Sequence, residues 1–276
     1  MDKNERNKNM MSAFRVLRIP KVQLAFLLFV IFLSAIVVNP LVKYGIGFAL
    51  AVLLTASFDV LLTRIRVNVW FVPYAGVVTG MIIGLIMHPD LPWWGITLIA
   101  AIAILSKHFL RVRSGHMVNP AAAGLVLGGI ILHQPVSWWA VSFQNVVQTD
   151  PFTLVAFVLL LLPLALSAVR LRRYGSIGSF LIAHTVLSVF PAIQTAWPPR
   201  SLLLTLTDPT LIFFATVMLP EPRTSPADMK RQIFYGITVA LIAYVLGFPS
   251  IGQKLLSRGV LPDQLLIALL VGNVVF

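Results

Sequence analysis

One basic segment carries the densest set of residues able to bind an anion. Residues 106–126 read SKHFLRVRSGHMVNPAAAGLV, so that lysine, arginine and histidine lead into Asn119-Pro120 and then into small residues. Asn119 can cap a helix, and Pro120 suits the first helical position because that position needs no backbone donor. The free amides of such a helix start, beside Arg113 and His116, would bind a phosphate or another anion. An ordinary helix cap next to a basic, topology-setting loop is an equally good interpretation.

Asp208-Pro209 interrupts a long apolar run and follows Thr207. Proline removes a backbone donor while aspartate caps the helix that follows, so the pair predicts a discontinuous helix. The positive end of the second half would then point toward a ligand. The alternative is a loop that leaves only Leu211–Leu219 as a re-entrant piece.

Asp59 lies near the end of another apolar run. One interpretation is an interfacial carboxylate paired with Arg64 or Arg66. The other is a cation or proton relay, in which Asp59, Thr207 and Asp208 form an ion pathway, because ionised groups are costly inside a membrane.

The composition excludes several classes of protein. Of 276 residues, 58% are hydrophobic and 11% charged, with a mean hydropathy of +0.92, which is too little polar surface for a soluble domain. The absence of cysteine excludes disulfides and thiolate metal sites. The net charge of +12 is spread in short clusters between apolar runs, which argues against nucleic-acid binding.

The hydropathy pattern predicts an all-α integral membrane protein with about ten transmembrane helices. A cytoplasmic tail over 1–21 precedes a single membrane domain over 22–276. Two short runs, Val118–Leu132 and Ile177–Phe190, predict tilted or broken helices. The ten runs are Val22–Val38, Tyr44–Thr63, Trp70–Met87, Trp93–Leu105, Val118–Leu132, Phe152–Val169, Ile177–Phe190, Ser201–Leu219, Ile233–Phe248 and Leu261–Phe276.

The basic residues predict the orientation in the cell (inner) membrane. The tail and the loops after even-numbered runs hold 17 of the 21 lysines and arginines, and this bias alternates from loop to loop. Because such loops stay in the cytoplasm, both termini are predicted to be cytoplasmic. A loose echo between the ends of runs three and eight suggests two inverted five-helix repeats, roughly 22–133 and 150–276.

Two further patterns concern packing. Glycines at four-residue spacing (Gly76, Gly80, Gly84 and Gly124, Gly128) predict close helix contacts. Trp93, Trp94, Trp138 and Trp139 predict an aromatic belt at the outer membrane interface.

Three blocks together resemble one family of membrane proteins. These are residues 106–126, residues 213–226 (FFATVMLPEPRTSP) and residues 262–273 (PDQLLIALLVGN). They are similar to the RnfD/NqrB family, whose members belong to the Rnf ferredoxin:NAD+ oxidoreductase and to the sodium-translocating NADH:quinone oxidoreductase. The resemblance, from about Pro20 to the end, implies a ten-helix inverted-repeat fold related to urea transporters. It also implies flavin-mediated electron transfer coupled to, or derived from, Na+ or H+ transport.

The resemblance implies a cofactor site and partners. Arg113, His116 and Asn119 would hold a flavin phosphate, while Glu221, Thr224 and Ser225 would bind the ring or ribityl chain. The family's Asp-Gly-x-(Ser/Thr)-x-Ala-Thr attachment sequence is absent, so FMN or riboflavin is expected to bind non-covalently. Implied partners are the other proteins of a membrane redox complex, including a flavin reductase and a flavinylated subunit. The alternatives are a non-redox transporter or channel on the same fold, and an assembly scaffold.

Overall fold

Helices account for most of the chain in a computed structural model, which describes residues 19–38, 42–112, 115–142, 172–195, 197–248 and 261–276. The sixth apolar run, Phe152–Val169, and Arg113 lie outside these residues. The helices are α1 (Pro20–Val38), α2 (Val42–Val67), α3 (Tyr74–Ile86), α4 (Trp93–Phe109), α5 (Pro120–Leu132), α6 (Tyr174–Gln194), α7 (Pro199–Leu206), α8 (Pro209–Phe213), a π-helix (Phe214–Met218), α9 (Met229–Gly247) and α10 (Gln264–Val275). A two-stranded antiparallel ribbon, β1 (Arg111–Val112) and β2 (Gly115–His116), joins α4 to α5.

Four helical stretches are long and apolar enough to cross a membrane: α2, α6, residues Ser201–Met218, and α9. These stretches indicate that the protein is a helical membrane protein. Each of the nine predicted runs that falls within the described residues contains helix. Helix α5, with 13 residues, spans about 20 Å at 1.5 Å per residue and is too short to cross the hydrocarbon layer.

Of the tilted or broken helix predicted for Ile177–Phe190, the break is absent, whereas the break predicted at Asp208 is confirmed. The run Ile177–Phe190 lies inside the continuous 21-residue α6, because Tyr174–Ser176 and the segment after Pro191 also adopt helical structure despite their lower hydropathy. Asp208, by contrast, ends the eighth run's first half and caps its second, accepting a hydrogen bond from the Thr210 N–H at 2.8 Å. The second half continues from α8 directly into the π-helix.

The glycine pattern produces the predicted close packing. A Cβ built on Gly80 of α3 would lie 2.6 Å from the Val52 Cα in α2, and one on Gly124 of α5 would lie 2.6 Å from the Ile99 carbonyl oxygen in α4. Neither position can hold a side chain without moving a backbone. The pairs α2–α3 and α4–α5 therefore form tightly packed units around the core.

The structure differs from the predicted aromatic belt in the loop after α5, which carries Trp138 and Trp139. Trp93 and Trp94 are exposed, as expected of a belt, but Trp138 is 6% exposed. The Trp138 indole donates to the Asp263 carboxylate at 2.8 Å, and the Trp139 indole donates to the Gly84 carbonyl at 2.9 Å. Backbone hydrogen bonds to Ile86 fold this loop back onto α3, so Trp138 is buried in the core and Trp139 packs half-buried against it.

Candidate functional site

The first two sequence blocks meet at one cavity of about 400 Å³. This volume is within the range of pockets that hold small organic ligands. We call the region around it the basic end of the molecule. The lining comes from the start of α1, α3, the end of α4, β2, the start of α5, the π-helix and the turn at 220–223: Ile19, Pro20, Lys21, Leu24, Ala75, Val78, Thr79, Ile82, Lys107, His116, Asn119, Pro120, Ala121, Thr216, Val217, Pro220, Glu221, Pro222 and Arg223.

The start of α5 forms one wall of the cavity. The Asn119 side chain accepts a hydrogen bond from the Ala122 N–H at 3.0 Å, and Pro120 occupies the first helical position. The predicted cap is therefore confirmed. Asn119, Pro120 and Ala121 all line the cavity, so the positive end of the helix lies beside it.

Three cationic side chains line the same cavity: Lys21, Lys107 and Arg223. In the sequence Lys21 and Arg223 indicate only the membrane topology, whereas the fold brings both to the cavity that Lys107 lines. Their positions in the sequence are 86 or more residues apart, so no local pattern could have joined them. Glu221 is the acidic residue among the described lining residues. The cavity thus has an excess of positive charge.

His116 and Glu221 face each other, with 3.8 Å between His116 Nε2 and Glu221 Oε1. Burial, followed by repulsion from Arg223, Lys107, Lys21 and Arg111, lowers the pKa of His116 to about 4. Burial raises the pKa of Glu221 to about 7, although Lys21, Arg223 and Lys107 oppose that shift. At neutral pH the histidine is therefore uncharged while the carboxyl is near its midpoint of titration.

The two carboxyl oxygens of Glu221 differ in their accessibility. Glu221 Oε2 is buried, without a hydrogen-bond partner among the described residues, so a ligand in the cavity does not reach it. The Thr224 hydroxyl lies on the same side of the turn and lowers the pKa of the Glu221 carboxyl, against the larger effect of burial. Contact with a ligand is therefore left to Oε1, the oxygen nearer to His116.

The turn that carries Glu221 is held from behind. The Arg173 guanidinium donates to the Pro226 carbonyl at 2.7 Å and to the Pro222 carbonyl at 3.1 Å. The Ser225 hydroxyl donates to the Glu221 carbonyl at 2.8 Å. Thr224 and Ser225 are buried and are not among the described lining residues of the cavity. Within this structure Ser225 shapes the turn.

Asn273, in the third sequence block, joins the start of α5 to the turn that carries Glu221. Its side-chain oxygen accepts a hydrogen bond from the Asn119 N–H at 3.0 Å. Its amide group donates to the Thr224 carbonyl at 3.2 Å and to the Tyr235 hydroxyl oxygen at 2.7 Å. In the sequence Asn273 belongs to a motif that indicates no role for it, and its position in the final helix offers no further signal.

Asp59 does not pair with the nearby arginines. It is fully buried, with Oδ2 2.5 Å from Lys107 Nζ and Oδ1 2.9 Å from His108 Nε2. Arg64 instead donates to the Asn68 carbonyl, and Arg66 to the His108 carbonyl. The fold favours the partners from α4 because α4 and α2 are neighbours in the bundle.

The three residues of the predicted ion pathway have separate local partners. Thr207 donates to the Leu203 carbonyl at 2.8 Å, and Asp208 accepts from Thr210. Asp59 contacts Lys107 and His108. Among the described lining residues of the cavity none of the three appears.

The arrangement can bind a molecule that joins an anionic group to an apolar body. The cations and the α5 start suit the anion, while Leu24, Val78, Ile82 and Val217 provide apolar contacts. No protein-family model matches the chain, and no curated protein matches it.

Proposed function

We propose that this protein is a membrane component of an electron-transport complex and that its cavity binds FMN non-covalently. The observation that carries the proposal is the convergence of Lys21, Lys107, Arg223 and the α5 start on one cavity of about 400 Å³. A phosphate monoester is the anion that such a group of donors suits best, because cations and a helix start both stabilise its charge. His116 and Asn119 complete this phosphate side, in keeping with the sequence-based expectation.

The opposite side of the cavity suits the flavin ring. Apolar residues of α1, α3 and the π-helix cover its walls, while Glu221 lies beside His116 on the phosphate side. The residues present thus fit the group. When bound, the flavin supplies one- and two-electron transfer, while this chain's residues bind, orient and exclude water from it.

The proposed topology places the cavity toward the cytoplasm. Lys21, Lys107 and Arg223 all belong to segments that the distribution of basic residues assigns to that side. In the proposal, about ten helices form two inverted repeats in the inner membrane with both termini cytoplasmic. A cytoplasmic reductase and a flavinylated subunit would be the partners that deliver and receive electrons. Transport of Na+ or H+ would be coupled to, or inherited from, this electron transfer.

The proposal is tested by an absorption and fluorescence spectrum of the detergent-purified protein, before and after acid precipitation. Flavin bands that appear in the supernatant are the expected result, since a non-covalent cofactor is released when the protein unfolds. Arg223→Met should reduce the flavin content, whereas Arg231→Met, at an exposed position of the same end, should not. Flavin retained in the pellet would instead indicate covalent attachment.

A folded preparation that neither contains nor binds flavin would contradict the proposal. Asp208-dependent ion flux in liposomes, abolished by Asp208→Asn, would then support the transporter alternative. A protein without flavin or flux that still holds flavinylated partners together would support a scaffold.

The affinity for FMN is expected to fall as the pH rises through 7. Above its pKa of about 7, Glu221 is ionised and its charge repels the phosphate; below it, the carboxyl is neutral. His116, with a pKa of about 4, stays neutral throughout this range. Since phosphate itself titrates near pH 6, the measured quantity is the ratio of the Kd of the wild type to that of Glu221→Gln.

That ratio is expected to be near 1 at about pH 5.5 and to reach roughly 3 to 10 at about pH 8.5, measured by quenching of flavin fluorescence. A ratio that does not change with pH would show that Glu221 does not titrate beside the bound phosphate.

A further inference from the structure

We propose that Asp59, which lies outside the cavity, is a positioning residue that holds Lys107 charged and directed toward the phosphate of the ligand. The inference rests on the proposed function of the cavity and assigns to Asp59 a role in selecting phosphate-bearing ligands. It differs from the ion-relay role that the sequence suggested.

The geometry supports a positioning role. Lys107 Nζ lies 2.5 Å from Asp59 Oδ2, and Lys107 is also one of the residues that line the cavity. The second carboxyl oxygen, Oδ1, is 2.9 Å from His108 Nε2, so both oxygens of Asp59 are engaged by consecutive residues of α4. The carboxylate therefore fixes the last turn of α4, which carries the lysine.

The carboxylate is itself rigidly placed. Asp59 is fully buried, and a Cβ built on Gly76 would lie 3.0 Å from the Asp59 Cβ. The neighbouring His108 carbonyl accepts a hydrogen bond from Arg66 at 2.5 Å. The close approach of Gly76 in α3 thus leaves the Asp59 side chain little room, and the hydrogen bond from Arg66 in α2 fixes the end of α4 that Asp59 contacts.

Charge balance explains why the lysine needs this partner. Lys107 is a flexible side chain that shares the lining of the cavity with Lys21 and Arg223, and the charges of Lys107 and Arg223 both act on Lys21. A buried amine beside two other cations loses its proton readily unless an anion is in contact with it. Asp59 supplies that anion from behind, so that the donors of the ammonium not used by Asp59 remain available to the ligand.

Neutralising Asp59 changes phosphate binding in opposite directions under the two explanations. The direction therefore distinguishes a positioning role from a purely electrostatic effect. If Lys107 kept its place and charge, removal of a nearby negative charge would strengthen anion binding. If Asp59 positions Lys107, the lysine loses its charge or moves away, and phosphate binding weakens. The proposal predicts the second outcome.

The test compares the Kd for FMN with that for riboflavin, which lacks the phosphate, by fluorescence quenching on the full chain in detergent. Asp59→Asn is expected to weaken FMN binding by about tenfold or more and riboflavin binding by less than about twofold. Lys107→Met should give the same pattern. The double variant should bind FMN no more weakly than Lys107→Met alone, because both changes remove one interaction.

The matched control is Asp90→Asn. Asp90 also lies 2.5 Å from a lysine, Lys43, but both side chains are exposed and neither lines the cavity. This variant should leave both Kd values unchanged. If Asp59→Asn does not fold, Asp59→Glu, which keeps the charge but lengthens the side chain, is expected to show a smaller loss that is again specific to FMN.

Unchanged or tighter FMN binding in Asp59→Asn or Asp59→Glu would overturn the proposal, as would an equal loss for FMN and riboflavin. If the wild type binds neither flavin, the proposed function fails. Inorganic pyrophosphate, titrated calorimetrically, then tests the role of Asp59 by itself. Weaker pyrophosphate binding in Asp59→Asn than in the wild type would support that role; equal or absent binding would overturn it.

Discussion

Replacing Gly80 by alanine is expected to destabilise the folded protein by about 1–3 kcal/mol or more, which would lower its thermal unfolding temperature in detergent. The added Cβ would lie 2.6 Å from the Val52 Cα and 2.7 Å from the Ala51 carbonyl oxygen. Both contacts are with backbone atoms of α2, which cannot turn away as the end of a flexible side chain can. Helices α2 and α3 would have to move apart around this contact.

Gly178→Ala is the matched control, since Gly178 also lies inside a helix but has no atom of the described residues within 4 Å of a built Cβ. This variant is expected to be unchanged or more stable by about 0.5–1 kcal/mol, because alanine restricts the unfolded chain more than glycine does. A lower unfolding temperature for Gly80→Ala, together with an unchanged or higher one for Gly178→Ala, would identify close packing as the cause. Equal changes in unfolding temperature would show that Gly80 does not pack this closely against the backbone of α2.

Asn273→Leu is expected to weaken both the fold and ligand binding. The change removes three hydrogen bonds and leaves the Asn119 N–H and the Thr224 carbonyl without this partner, at a cost of about 1–3 kcal/mol for each buried unpaired group. Because Asn119 starts α5 and Thr224 belongs to the turn that carries Glu221, the α5 start and that turn lose their common support. The Kd for FMN is therefore expected to rise by about tenfold or more.

Tyr235→Phe provides the graded control, because it removes one partner of Asn273 and leaves the bonds to Asn119 and Thr224. Its expected cost is about 1 kcal/mol, with a Kd for FMN close to that of the wild type. Thermal unfolding and flavin titration on the three proteins measure both effects. If Asn273→Leu behaves like Tyr235→Phe, the α5 start and the Glu221 turn are held together by other contacts.

Local features of the fold could be predicted from the sequence. The caps at Asn119 and Asp208 were predicted correctly because each depends on a side chain and on backbone donors two or three residues away. The close packing of Gly80 and Gly124 followed from their spacing, since residues four apart share one helix face. The sequence left open whether α6 is tilted or broken, because hydropathy reports membrane preference and the helix extends beyond its apolar run.

The candidate site could be predicted only in part. The sequence indicated His116, Asn119 and Glu221, and all three line the cavity. It also indicated Thr224 and Ser225, which are close to Glu221 in sequence but lie in the turn behind the cavity. The motif identifies the turn that carries Glu221, Thr224 and Ser225. The direction of each side chain depends on how Arg173 and Asn273, from distant parts of the sequence, bind the backbone of that turn.

The sequence by itself determined an apolar helical chain, the points at which helices start and break, and the positions of its basic residues. These properties depend on composition or on contacts within a few residues. Only the tertiary structure decided that Lys21, Lys107 and Arg223 share one cavity, that Asp59 binds Lys107 and His108, and that Trp138 binds Asp263. These contacts join distant segments, and helix packing selects them from many pairings that charge and hydropathy alone would allow equally.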